Sequence, residues 1–264
     1  MMKVWTVLLL IECVAGFMSH GGGSRMNSRD HVGGCFMTSE KLVIWDCDGV
    51  LVDSEALLKQ GEVEALEELG FENVSVEDCV RLFSGVSPDK AQQNFEKEYG
   101  KALPETFFPN QIANSMNLFR ERLQPLMYDT VSKLATEDNI PQCIASGSPK
   151  DRVELCVDVA KMRPYFPTSK VYTRELVSLG KPAPDIFLHA AEKEGYEPTN
   201  CIVVEDSSSG IEAAQAANMK VCAFLGGGHT TASWYQDKIK SYNIPTFSTS
   251  TEVYQWILSE VNSE

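Results

Sequence analysis

Five short apolar runs, rich in β-branched residues, recur at Lys41–Trp45, Ile140–Ala145, Val171–Tyr172, Cys201–Val204 and Val221–Leu225. Runs of this length bounded by turn residues read as strands buried on both faces. Segments of helical spacing separate the later ones: Thr130–Glu137, Pro149–Val159, Pro184–Lys193 and Gly210–Ala217. Such alternation gives βαβ units and a parallel sheet covered on both sides. Between the first two strands the pattern is helical only, over Ser54–Leu69, Val76–Phe83, Pro88–Tyr99 and Phe108–Leu123, with breaks at Gly70, Ser84-Gly85, Gly100 and Pro125. The chain is therefore expected to be α/β, a Rossmann-like parallel sheet core (37–55 and 126–264) with an inserted all-helical cap domain (56–125).

Residues 1–36 stand apart as an N-terminal extension. Met1-Met2-Lys3 and the apolar stretch from Val4 to Phe17 have the outline of a signal peptide, although Glu12 interrupts it. The stretch is shorter than the roughly 20 apolar residues that span a bilayer. His20–Cys35 is rich in Gly, Ser and Asn and reads as linker. Met37 is equally natural as a start, since the compact pattern begins there. The eight cysteines form no CxxC pair, and several lie in apolar runs, which fits reduced thiols in a cytoplasmic setting. Lys plus Arg total 23 against 37 Asp plus Glu, a net charge of −14. That balance argues against nucleic acid, whose phosphates require a basic surface. The expected partner is a small phosphorylated metabolite, with no membrane and a monomeric protein.

Four polar clusters follow strands, and in open α/β sheets ligands bind beyond the carboxyl ends of strands. In Asp46-Cys47-Asp48-Gly49 the two carboxylates are spaced to point the same way from an extended chain. Converging carboxylates repel unless a cation or a proton sits between them. One Asp can attack phosphorus, and a second can protonate the leaving alcohol and then activate water. Ser146-Gly147-Ser148 offers a hydroxyl and free N–H groups at a helix start, suited to phosphate. Lys181, between Gly180 and Pro182, sits on a defined loop where a fixed ammonium offsets negative charge. Glu205-Asp206 are adjacent acids at the end of a buried strand, costly without a partner. Oxygens from Asp46, Asp206 and the Asp48 carbonyl would suit Mg²⁺. The competing account of the clusters is plainer: Asp48 and Asp53 cap the next helix, the Ser146-Gly147-Ser148 and Glu205–Gly210 runs cap the helices that follow them, and Lys181 is a solvated lysine.

In DCDGVLVDS, SGS, GKPAPD and VEDSSSG the chain resembles the haloacid dehalogenase-like hydrolase superfamily, in its branch with a helical cap after the first strand. The resemblance covers Lys41–Ser248. It implies Asp46 as nucleophile, Asp48 as general acid/base, Ser146, Gly147 and Lys181 as phosphate binders, and Mg²⁺ at Asp46, Asp48 and Asp206 with Glu205 beside them. Asp48 marks phosphotransfer chemistry, since the dehalogenase and phosphonatase branches lack it. The β-phosphoglucomutase-like branch shares these motifs, but its mutases carry His where this chain has Leu58 and Arg where it has Pro88. The pattern is closer to bacterial sugar-phosphate phosphatases, the group that includes 6-phosphogluconate phosphatase.

Other residues are expected to be plain. Trp45 reads as strand packing and His189 as structural or exposed. The face carrying Glu62, Glu64, Glu67 and Glu68 reads as solvated surface. His229, after three glycines, is placed on a flexible loop within possible reach of substrate.

Overall fold

The computed structural model describes residues 40–83 and 88–263. The readings of residues 1–36 and of the Ser84-Gly85 break lie outside them. Six parallel strands form one sheet in the order β3-β2-β1-β4-β5-β6. They are β1 Leu42–Trp45, β2 Gln142–Ser146, β3 Val171–Thr173, β4 Cys201–Glu205, β5 Lys220–Phe224 and β6 Thr246–Phe247. The fold is α/β with a Rossmann-like core, and a helical cap follows β1.

Strand periodicity explains why both faces are covered. Val43, Trp45, Ile144, Ile202, Val204 and Phe224 enter one apolar layer. Their neighbours Leu42, Ile44, Cys143, Cys201, Val203 and Ala223 enter the other. The first layer is closed by α5 (Tyr128–Thr136), α6 (Lys150–Val159) and α10 (Ser250–Val261). The second is closed by α7 (Asp185–Glu194), α8 (Ser208–Ala216) and α9 (Ser233–Lys240). Trp45 packs in the strand as expected, fully buried, with its indole N–H donating to Gln142 Oε1 at 2.9 Å. His189 is half-buried, its ring edge-on to Tyr172. The six cysteines among the described residues are buried and free.

The cap helices are α1 (Glu55–Glu68), α2 (Val76–Phe83), α3 (Pro88–Tyr99) and α4 (Phe107–Arg122). Ala65, Leu66, Cys79, Leu82, Phe95 and Phe107 form a separate apolar centre within them. The chain leaves and re-enters the core side by side: Asp53 N donates to Gln124 O at 2.9 Å, and Leu126 N to Leu51 O at 2.8 Å. No helix among the described residues is long and apolar enough to cross a membrane.

Two expectations change. Glu62 is not on a solvated face: it is 8% exposed and ion-paired to Lys59, also 8% exposed. Glu67 and Glu68 are exposed as expected. His229 sits in a short 3-10 turn, Gly228–Thr231, pinned by Thr230 Oγ1 donating to Leu225 O at 2.6 Å.

Phe95 is fully buried and stacks on Tyr99 at 4.6 Å, with Phe71 edge-on at 5.0 Å. Phe95→Ala is expected to destabilise the protein by about 3–5 kcal/mol, measured as a lower urea midpoint. A change below about 1 kcal/mol would mean that this aromatic cluster does not hold the cap together.

Candidate active site

Every predicted cluster lies at the carboxyl end of the sheet, and the parallel register brings them together. Asp46 follows β1, Ser146 ends β2, and Glu205 ends β4, the strand beside β1, with Asp206 directly after it. Lys181 arrives on the loop before α7. Its Nζ donates to Asp46 Oδ1 at 2.6 Å, Glu205 Oε1 at 2.6 Å and Ala145 O at 3.2 Å. The lysine side chain is 8% exposed, which rules out a solvated role.

The acids of these clusters do not cap helices, and the capping account holds only at Ser207 of the fourth. Ser54 occupies the cap position of α1 but makes no side-chain cap; its hydroxyl donates to Asp48 Oδ1 at 2.7 Å. Pro149 precedes α6, and the Ser148 hydroxyl turns to Asp48 Oδ2 instead. Ser207, rather than an acid, caps α8 by accepting from Gly210 N at 3.1 Å. Asp53 accepts from Gly228 N at 3.1 Å, tying the turn that carries His229 to the first loop.

Asp48 has a third partner that the sequence did not disclose. The Arg152 guanidinium, in the first turn of α6, donates to Asp48 Oδ2 at 2.9 Å. Burial alone would raise the Asp48 carboxyl, but Arg152 and the Ser148 and Ser54 hydroxyls outweigh it and hold it below the ordinary range. Ser146 Oγ accepts from Ser148 N at 3.1 Å, which shapes the turn after β2. Gly147 is exposed, with open space where a side chain would stand.

Charge is unevenly balanced across the rest. Burial pushes the Asp46 carboxyl well up; Lys181 opposes this, and Glu205, Asp206 and Asp48 add to it. Burial likewise pushes Asp206 up to about 7, with the His229 imidazole opposing and Glu205 adding. His229 places Nε2 2.7 Å from Asp206 Oδ2, yet neither ring nitrogen is oriented for a hydrogen bond. Glu205 is different. Burial would raise it, but Lys181, the Ser207 N–H and the Ser207 hydroxyl hold it down. Its Oε2 accepts from Asp206 N, Ser207 N and Ser207 Oγ at 2.8–2.9 Å.

Ligand atoms of Asp46, Glu205 and Asp206 lie within 4.8 Å of one another. Two of these buried carboxylates stay above their ordinary range despite Lys181 and His229. An all-oxygen set short of positive charge fits a hard divalent cation. Gly49, at φ +75°, makes the close approach possible: a Cβ there would stand 2.1 Å from Asp206 Oδ2.

This arrangement belongs to a known class. Residues 43–224 match the family described as haloacid dehalogenase-like hydrolase, and the chain belongs to that family. Among its relatives is a 6-phosphogluconate phosphatase of Escherichia coli, 28% identical over 194 residues, covering 73% of this chain and 86% of the relative. A fructose-1-phosphate phosphatase of the same organism is 28% identical over 177 residues, covering 67% and 92%. A conserved haloacid dehalogenase-like protein of unknown function from Agrobacterium tumefaciens superposes with a TM-score of 0.71 at 31% identity, covering 84% of this chain and 99% of that one.

Two outcomes follow from the geometry. A Cβ at Gly210 would stand 1.7 Å from Glu205 Oε1. Gly210→Ala is expected to drive Glu205 off Lys181 and destabilise the fold by about 2 kcal/mol or more, seen as a lower Tm; an unchanged Tm would show that Glu205 has room to move. Glu62 is pushed from 4.5 up to about 7, chiefly by burial. A carboxyl that binds its proton more tightly when folded loses stability as pH rises from its unfolded to its folded value. Glu62→Gln removes that loss, so relative to wild type it should gain about 2–3 kcal/mol between pH 5 and pH 8 in urea denaturation. A difference that is flat with pH would contradict the shift.

Proposed function

We propose that this enzyme is a Mg²⁺-dependent phosphatase that hydrolyses a small phosphomonoester, a sugar phosphate or sugar-acid phosphate, through an aspartyl-phosphate at Asp46. The observation that carries this reading is the Asp46–Lys181 pair at 2.6 Å, with Asp48 held two residues away by Arg152, Ser54 and Ser148. One Asp46 carboxylate oxygen faces Lys181 and is oriented by it, which leaves the second free to attack phosphorus. As the phosphorus–oxygen bond to the leaving group breaks, Asp48 delivers a proton to that oxygen. Asp48 then takes a proton from water, whose oxygen displaces Asp46 from phosphorus and releases inorganic phosphate. The partners that hold Asp48 low suit this second step, so proton donation is the more demanding half of its cycle.

Lys181, the Ser146 hydroxyl and the Gly147 N–H are suited to spreading charge over the phosphoryl oxygens. Asp46, Asp206 and the Asp48 carbonyl, with Glu205 beside them, would hold the metal. Mg²⁺ there supplies charge neutralisation for the transferring group. The cap, taken as 56–125 on a core of 37–55 and 126–264, would cover the site, exclude water and select the leaving group. The protein would act as a monomer on a soluble metabolite.

A phosphomutase reading has less support. Leu58, at the position where mutases of this branch carry His, is 8% exposed and packs in the apolar layer with Leu118 and Phe119, offering no proton donor.

Phosphate release from a panel of phosphorylated metabolites, with and without Mg²⁺, tests the reading. Wild type should release phosphate only with metal, and Asp46→Asn should lose at least about 10³-fold in kcat. Isomerisation of β-glucose 1-phosphate without net phosphate release would favour a mutase instead. Full activity in Asp46→Asn would sink the covalent mechanism.

A further inference from the structure

The cap helix α1 carries Glu55, Lys59, Glu62 and Leu66 at helical spacing, one stripe along its length. One end of the stripe follows Ser54, whose hydroxyl donates to Asp48 Oδ1 at 2.7 Å. Burial pushes the Glu55 carboxyl up and Asp48 adds to it, while His229, Lys59 and Arg152 pull it down. At the far end Leu66 joins the cap's apolar centre with Leu82 and Phe95. Burial pushes the nearby Cys79 thiol up to about 12, with Glu62 as the next contributor. The Lys59–Glu62 pair therefore lies along α1 between its Ser54 end, which touches Asp48, and the apolar centre of the cap. Leu57 lies on a different face and Leu58 flanks the stripe, and both enter the apolar layer that holds Leu118 and Phe119 of α4.

The hydrolytic chemistry makes no use of this pair. A buried ion pair gives little net stability compared with apolar residues of similar size, so stability alone does not explain it. Lys59 Nζ donates to Glu62 Oε1 at 2.9 Å and to Oε2 at 3.1 Å. An ammonium has three N–H donors and each carboxylate oxygen has two lone pairs, so both groups keep capacity after pairing. A vicinal diol complements that arrangement: one hydroxyl donates to the carboxylate, and its neighbour accepts from the ammonium. The ion pair survives such binding. A second anion on the leaving group meets a different field. It would face Glu55 and Glu62 against one ammonium, and could take Lys59 only by leaving Glu62 buried without its partner. The other cations that act on Glu55, Arg152 and His229, stand against Asp48 and Asp206.

We propose that Lys59 and Glu62 form a specificity-determining pair for the leaving group, taking neutral vicinal hydroxyls of a polyol or sugar and rejecting leaving groups that bear a second anion. This rests on the phosphatase reading above and chooses within it.

The test compares kcat/KM for glucitol 6-phosphate and 6-phosphogluconate, which differ only in a hydroxymethyl or a carboxylate at carbon 1. Wild type should prefer glucitol 6-phosphate at least tenfold. Glu62→Gln frees a cation and should narrow that ratio at least tenfold, whereas Lys59→Met should widen it. Opposite shifts are not expected of two residues with a merely structural role, and the ratio is internal to each variant, so a loss of folded protein cancels. A wild-type preference for 6-phosphogluconate, or the same ratio in all three proteins, would overturn the proposal whether or not either variant folds well. Wild-type hydrolysis of p-nitrophenyl phosphate separates the two levels. If it proceeds without discrimination between the two polyol substrates, only this specificity fails. If none of the three compounds is hydrolysed with Mg²⁺, the phosphatase reading fails and takes the proposal with it.

Discussion

The Lys181 ammonium is the interaction on which the rest of the site depends. It stands 2.6 Å from both Asp46 and Glu205, two buried carboxylates that end adjacent strands. Without a cation between them, such groups would repel and one would neutralise. With it, Glu205 remains charged and uses its second oxygen to gather the N–H groups of Asp206 and Ser207. That contact sets the turn into α8 and so places Asp206. The ammonium is itself held above its ordinary value, because burial is outweighed by Asp46 and Glu205. One side chain thus joins the loop before α7 to the ends of β1 and β4.

The core of this arrangement was legible in the sequence because strand ends announce themselves. An apolar run that stops at an acid, as Trp45 stops at Asp46 and Val204 at Glu205, fixes both the strand and the place of its polar residue. The first five strands and the first eight helices lie within one or two residues of their expected positions. The C-terminal elements are less legible. β6 has two residues and no periodicity to detect, and α9 fully buries only Ile239. The start of α10 did carry a signal: Thr249 and Glu252 form a reciprocal capping box, the spacing that marks a helix start.

What could not be read was pairing across long separations. Arg152 looks like any helical arginine until α6 is laid beside the first loop, where it meets Asp48. Glu62 sits in an acidic stretch, and a charge run is ordinarily solvated. Its burial depends on how α1 faces α4 and α2, which helical spacing alone does not determine. His229 stands out by its glycine-rich approach, but its closeness to Asp206 requires Gly49 to leave space. In each case residue type was visible and the partner was not.

The position of the cap also bears on how the chain reaches this structure. Val43 must find Gln142 to begin the sheet, with the whole helical insertion lying between them. Closing a long flexible loop is slow as well as entropically unfavourable. The cap is built from contacts close in sequence and has its own apolar centre. Its two ends emerge together, where Leu51 and Leu126 share a hydrogen bond. Once the four helices associate, the insertion acts as a short tether, and the first two strands come into register as though they were near neighbours.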